Sequence, residues 1–182
     1  MQPISTAATS YDRRTIIFHW LTAVLVVAQW IGAKTIDVWP KGALRVDAQS
    51  AHITLGIAIG LLVLARIVWR ATGGRQLAPA DRGLLQLLAK VVHWGLYLLV
   101  LGTVGLGLAM ISLQSMSFYN LFMLPSLLEA SRATVRSIHG FHELAGTSIL
   151  IVAGLHAAAA LLHRYVLRDG VLARMIPAAR SA

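Results

Sequence analysis

The sequence predicts an all-α membrane protein, a bundle of four transmembrane helices. Three observations carry that expectation. Apolar residues make up 57% of the 182 residues and charged residues only 13%, about half the charged share of a soluble domain. Mean hydropathy is +0.70. Four runs reach the ~20 residues that a helix needs to cross a bilayer. The same figures exclude a soluble globular chain and a disordered one.

The first span is expected at 15–33 (TIIFHWLTAVLVVAQWIGA). It follows a polar segment and has no cleavage site behind it, so it reads as a span and not as a signal peptide. The second is expected at 52–69, with Arg66 near its end, where a long side chain can snorkel to the interface. The third, 91–113, carries Gly102, Gly105 and Gly107; the fourth, 142–162, carries Gly146 and Gly154. Small residues of this kind are expected at close helix contacts. The loop at 114–141 is the longest and leaves room for a short amphipathic helix. Residues 1–12 and 175–182 read as loose tails. With no internal repeat or linker, 1–182 reads as one unit.

Formal charge is +9, from 16 Lys and Arg against 7 Asp and Glu. The bases punctuate the apolar runs instead of forming one patch, and no nucleic-acid-binding motif is present. The pattern therefore points to the lipid bilayer as partner and not to nucleic acid. Lys34, Lys41, Arg45, Arg132 and Arg136 fall on one side of the spans and the other eleven bases on the opposite side. The positive-inside rule then places both termini and the 70–90 loop in the cytoplasm.

There is no cysteine. Thiol catalysis, thiolate-held metals and covalent haem attachment are excluded. The versatile residue left is histidine, at 19, 52, 93, 139, 142, 156 and 163, always in or beside an apolar run. An ionisable group at membrane depth is costly and faces the bundle interior. His19 and His156 lie at matching depths toward the cytoplasmic side. His52 and His142 open their spans at the outer face. His142 and His156 are fourteen residues apart, close to four turns, so one helix face presents both, ~21 Å apart along its axis. Two planar cofactors, each held by two trans imidazoles, meet that specification. Haem iron accepts neutral imidazole axially, and without cysteine the haems are non-covalent b type. A structural zinc would need four ligands at one point, and these histidines are split between two levels.

The phrases F-H-W, A-H-I-T-L-G-I, V-H-W-G-L-Y, F-H-E-L-A and G-L-H-A-A-A-A-L-L-H-R-Y, with R-M-I-P near the end, resemble the prokaryotic cytochrome b561 family over roughly 11–177. The resemblance implies two haem b groups, on His19 and His156 toward the cytoplasm and on His52 and His142 toward the periplasm. His139, one turn before His142, stays a competing ligand. The resemblance also implies a bacterial inner-membrane location and a quinone site, for which His163 and His93 at the cytoplasmic rim are the candidates. Similarity to the superoxide-oxidising members of the family implies superoxide as the electron donor outside and ubiquinone as the acceptor. Arg132 and Arg136 are the cations expected to steer that anion, although four acids offset all but one of the five outer positive charges. Glu143 reads either as support for the outer haem or as a helix N-terminal charge. Two other readings stay open: an electron-transfer subunit serving a dehydrogenase or hydrogenase partner, and a haem-free transporter with proton-relay histidines.

Overall fold

The computed structural model describes residues 10–80 and 82–176. Four long helices dominate: α1 (Arg13–Thr35), α2 (Ala43–Thr72), α3 (Gly83–Leu113) and α4 (Arg132–Leu162). All four are long and apolar enough to cross a membrane. In lipid every backbone N–H and C=O must find its partner inside the segment, and the helix does that. Serine and threonine hydroxyls inside the spans follow the same rule. Thr22, Thr54, Thr103 and Ser148 each donate to the carbonyl four residues back. The chain is a four-span membrane bundle, as the sequence predicts. Its helices outrun the expected spans, because polar residues at 43–51 and 132–141 continue the helices beyond the apolar windows.

Each helix packs on the next in sequence, and α4 closes back on α1 along the loosest seam. The packed centre is small: Ile59 and Val63 of α2, Val100 of α3 and Ile149 of α4, fringed by Leu25 and Val26 of α1. Ile149 lies seven residues from both His142 and His156. The central apolar cluster therefore lies midway between the two histidine levels. Lipid faces carry the rest of the apolar surface, with Leu98 70% and Leu155 67% exposed.

Two corrections concern the glycines and the long loop. Added Cβ atoms at Gly102, Gly105, Gly146 and Gly154 would meet nothing within 4 Å, so these glycines do not mark tight helix contacts. Of the expected glycines only Gly107, discussed below, makes a close approach; others occur at Gly60, where a Cβ would stand 3.1 Å from Val104, and at Gly56, 3.2 Å from Gln29. In the long loop no amphipathic helix forms. Strands β1 (Met116–Phe118) and β2 (Phe122–Leu124) make an antiparallel hairpin. Its three-residue turn, 119–121, opens with Tyr119 and Asn120 both at positive φ, 48° and 56°, and is closed by the Leu121 N–H donating to Phe118 O. That backbone matches the twist of hairpin strands, and Asn tolerates it. Contacts to α2 hold the strained Tyr119: its N–H donates to the fully buried Ser50 hydroxyl, 2.8 Å, and Asn120 Nδ2 donates to Asp47, 2.8 Å.

The opposite end, where both termini lie, is also laced together. Asp12 caps α1, accepting from Thr15 N–H (3.0 Å) and Thr15 Oγ1 (2.7 Å). It also accepts from Trp69 Nε1 and from Arg75 N–H, each at 3.0 Å. Tyr11 N–H donates to Arg174 O and Trp20 Nε1 to Met175 O. Tyr11, Asp12 and Met175 are thus fastened, contrary to the loose tails expected there; 1–9 and 177–182 lie outside the described residues.

Candidate functional site

At the hairpin end His52 of α2 faces His142 of α4 across the bundle, ring centroids 6.0 Å apart and planes at 72°. His142 Nδ1 lies 3.0 Å from the Thr103 carbonyl of α3. A carbonyl only accepts, so Nδ1 carries the ring proton and Nε2 keeps its lone pair. That is the tautomer of a histidine that ligates through Nε2. Gly107 makes room for the ring: a Cβ there would stand 3.2 Å from His142 Cε1. On α1, Gln29 Nε2 donates to the His52 carbonyl, 2.8 Å. His52 Nδ1 and Trp30 Nε1 are buried with no hydrogen-bond partner. Orphaned polar atoms in a native interior are rare, and these two lack any partner from within the chain.

At the termini end His19 of α1 and His156 of α4 meet with centroids 6.2 Å apart and planes at 79°. His93 of α3 joins them, 5.2 Å from His156. Arg66 does not snorkel to the interface. Its Nη2 donates to His19 Nδ1 at 3.1 Å, its guanidinium carbon lies 5.4 Å from the Tyr97 ring centroid, and its Nε is buried without a partner. Since a guanidinium only donates, His19 Nδ1 accepts and its proton sits on Nε2.

The residues fit a haem iron at each level. A metal ion held between two ring nitrogens at ~2 Å each would set the imidazole centroids ~6 Å apart. Both His52–His142 and His19–His156 have that spacing; His93–His156 is shorter. Among the described residues no three potential ligands converge as a metal cluster. His139, one turn before His142, lines a cavity.

That cavity, about 460 Å³, lies between the end of α3 and the start of α4 and is lined by Arg132, Arg136, His139, Gln114, Met110 and Leu113. Lys34 and Arg45, at the same end of the bundle, are differently placed. Lys34 binds Glu143 at 2.5 Å and Arg45 binds Asp37 at 3.3 Å. Glu143 lies three turns into α4, which begins at Arg132, so the helix N-terminal role does not describe it; its partner is Lys34. At the other rim His163 Nδ1 stands 2.5 Å from Asp169 Oδ2. This hydrogen bond is the main cause holding the Asp169 carboxyl below its usual range, aided by the Val171 N–H. The two quinone candidates therefore differ in setting, His93 on His156 and His163 on Asp169.

Sequence reasoning missed Thr103, Gln29 and the inward turn of Arg66. Thr103 acts through its carbonyl, which leaves no mark in a sequence. Arg66 did carry a signal, since it lies six residues before the end of α2, ~9 Å in.

Four spanning helices with paired imidazoles at two depths define a membrane redox protein of the b-cytochrome type. The family model for prokaryotic cytochrome b561 matches residues 10–178, and the chain belongs to that family. It is similar to a probable superoxide oxidase, CybB, of Yersinia pestis, 31% identical over 93% of this chain and 97% of that protein. It is also similar to cytochrome b561 homolog 1 of Escherichia coli K12, at 26% over 92% and 97%, and to cytochrome b562 of Cereibacter sphaeroides, at 29% over 94% and 98%. Family membership implies b-type haem and sets aside the haem-free transporter.

Proposed function

We propose that the chain carries electrons from superoxide at the periplasmic face of the inner membrane to ubiquinone, through two b haems held by His52–His142 and His19–His156. Both termini lie in the cytoplasm in this reading. The observation that carries it is the repetition of one motif at two depths: a pair of imidazoles with centroids 6.0 and 6.2 Å apart, with a packed aliphatic layer between. Haem bound at each level supplies one-electron storage that no side chain here has. The protein's part is to hold position and to manage charge and protons. Thr103 keeps His142 in its ligating tautomer. Arg132, Arg136 and His139 line an open cavity one turn from His142, and neither arginine is neutralised by a described carboxylate. An anion is steered to such a place. At the cytoplasmic rim His163, backed by Asp169, donates to a quinone oxygen and passes protons from the water beside it.

A second reading has a specific support. Leu121 (80% exposed), Met123 (63%) and Leu127 (75%) form an apolar rim at the hairpin end. Such a rim would suit docking of a dehydrogenase or hydrogenase that delivers electrons directly.

One assay separates the two. The purified protein alone, given superoxide and a ubiquinone analogue, should reduce the quinone and show two b haems per chain. Arg132→Gln with Arg136→Gln should keep both haems, slow the superoxide step several-fold and flatten its ionic-strength dependence. Superoxide that leaves the haems oxidised, or an unchanged salt slope, would sink the superoxide reading and favour a protein donor.

A further inference from the structure

Arg66 is the least explained charge in the molecule. It sits ~9 Å inside α2, where a guanidinium is costly and is retained beside an opposite charge. No described carboxylate pairs with it. Asp12 is committed to Thr15, Trp69 and Arg75, and Asp169 to His163. The hydrogen bond it makes is to a neutral imidazole, and its Nε has no partner at all. The hydrogen bond to His19 is itself incompatible with the ligand role proposed above. Iron on Nε2 puts the ring proton on Nδ1, and two donors cannot face each other.

Resting on the di-haem reading, we infer that Arg66 is the counter-cation of the cytoplasmic-side haem and sets its reduction potential above that of the other haem. With haem held there, Arg66 would leave His19 Nδ1 and pair with a carboxylate side chain of that haem, an anion that the described carboxylates do not supply to it. Its fixed positive charge disfavours the ferric state, which carries one more positive charge than the ferrous state. At the outer pair no described cation donates to either ring; Arg132 and Arg136 line the cavity at the start of α4 instead. The cation on its side nearest in sequence to Trp30 is Lys34, and Glu143 neutralises it at 2.5 Å. The asymmetry gives electrons a thermodynamic reason to move from the His52–His142 level to the His19–His156 level.

The test is a spectroelectrochemical titration of the purified holoprotein, resolving both haems, with Arg66→Gln and Arg66→Lys. Arg66→Gln should shift the reduction equilibrium of the cytoplasmic-side haem at least tenfold toward the oxidised form, ~59 mV downward for one electron. The other haem should stay unmoved, and Arg66→Lys should recover most of the shift. An unchanged potential with both haems present overturns the inference, as does an equal shift of both. Should Arg66→Gln lose the haem, Arg66→Lys decides: haem kept near the wild-type potential supports the inference, and loss in both variants makes Arg66 a structural pillar and overturns it. Fewer than two haems in the unaltered protein is a different failure, that of the di-haem reading itself.

Discussion

The two histidine levels have the same ring spacing and opposite surroundings. At the hairpin end His142 is already in the tautomer of a ligand, fixed by the Thr103 carbonyl, with Gly107 leaving room for the ring and Gln29 bracing the backbone of His52. At the termini end three imidazoles share the space, and Arg66 holds His19 in the other tautomer. One level is arranged for a ligand in advance; the other must give up a hydrogen bond to take one. Equal distances thus conceal unequal readiness, and the difference lies in the groups behind the rings.

Changing ligands should break the comparison most directly. His52→Ala or His142→Ala should remove one b haem and spare the other, and His19→Ala or His156→Ala should do the reverse. His93→Ala should keep both, because its 5.2 Å spacing from His156 is short for a trans pair. Haem quantification with low-temperature difference spectra reads all five. Loss of a haem in His93→Ala, with His19→Ala intact, would redraw the pair at the termini end.

A smaller effect is expected at that rim. His163→Ala should keep both haems and their reduction by superoxide, yet lower the quinone reductase rate about tenfold. That is the scale of one lost hydrogen bond of ~1 kcal/mol or more. Stopped-flow measurement of haem reduction and reoxidation separates the two steps. Slowed reduction instead of slowed reoxidation would place the quinone elsewhere.

The smallest effect concerns the fastening of the termini end. Burial alone would raise the Asp12 carboxyl, but hydrogen bonds from Thr15, Arg75 and Trp69 outweigh it and hold the group well below the usual carboxylate range. A carboxyl depressed in the folded state contributes stability above its ordinary, unfolded value and loses it as pH falls through the folded one. Asp12→Ala should therefore cost about 1 kcal/mol near neutrality. The deficit should shrink on acidification. Thermal unfolding in detergent across pH checks both, and a deficit independent of pH would mean that the cap's geometry matters and its charge does not.

Much of this was legible in the chain. Hydropathy gives the four helices, and fourteen-residue spacing gives two imidazole levels on one helix, because both depend on local periodicity. The hairpin at 116–124 was not legible: its turn needs Tyr119 in a left-handed conformation, stabilised by Ser50, 69 residues away. The glycines misled for a related reason. A missing Cβ signals either contact or space, and only the tertiary arrangement says which. Charged residues were the least legible. Lys34, Glu143 and Arg66 each have partners on another helix, so their roles follow from packing and not from neighbours in sequence.

The layer of Ile59, Val63, Val100 and Ile149 has a consequence for energy coupling. None of these side chains can pass on a proton, so the packed waist of the bundle insulates protons while a tunnelling electron can cross it. Charge that travels between the two levels therefore travels alone and feels the membrane voltage, worth ~2.3 kcal/mol per elementary charge for a full crossing at 100 mV. In the proposed di-haem reading, with both termini in the cytoplasm, a strongly polarised membrane would hold back electrons moving inward through this protein, and a depolarised one would release them.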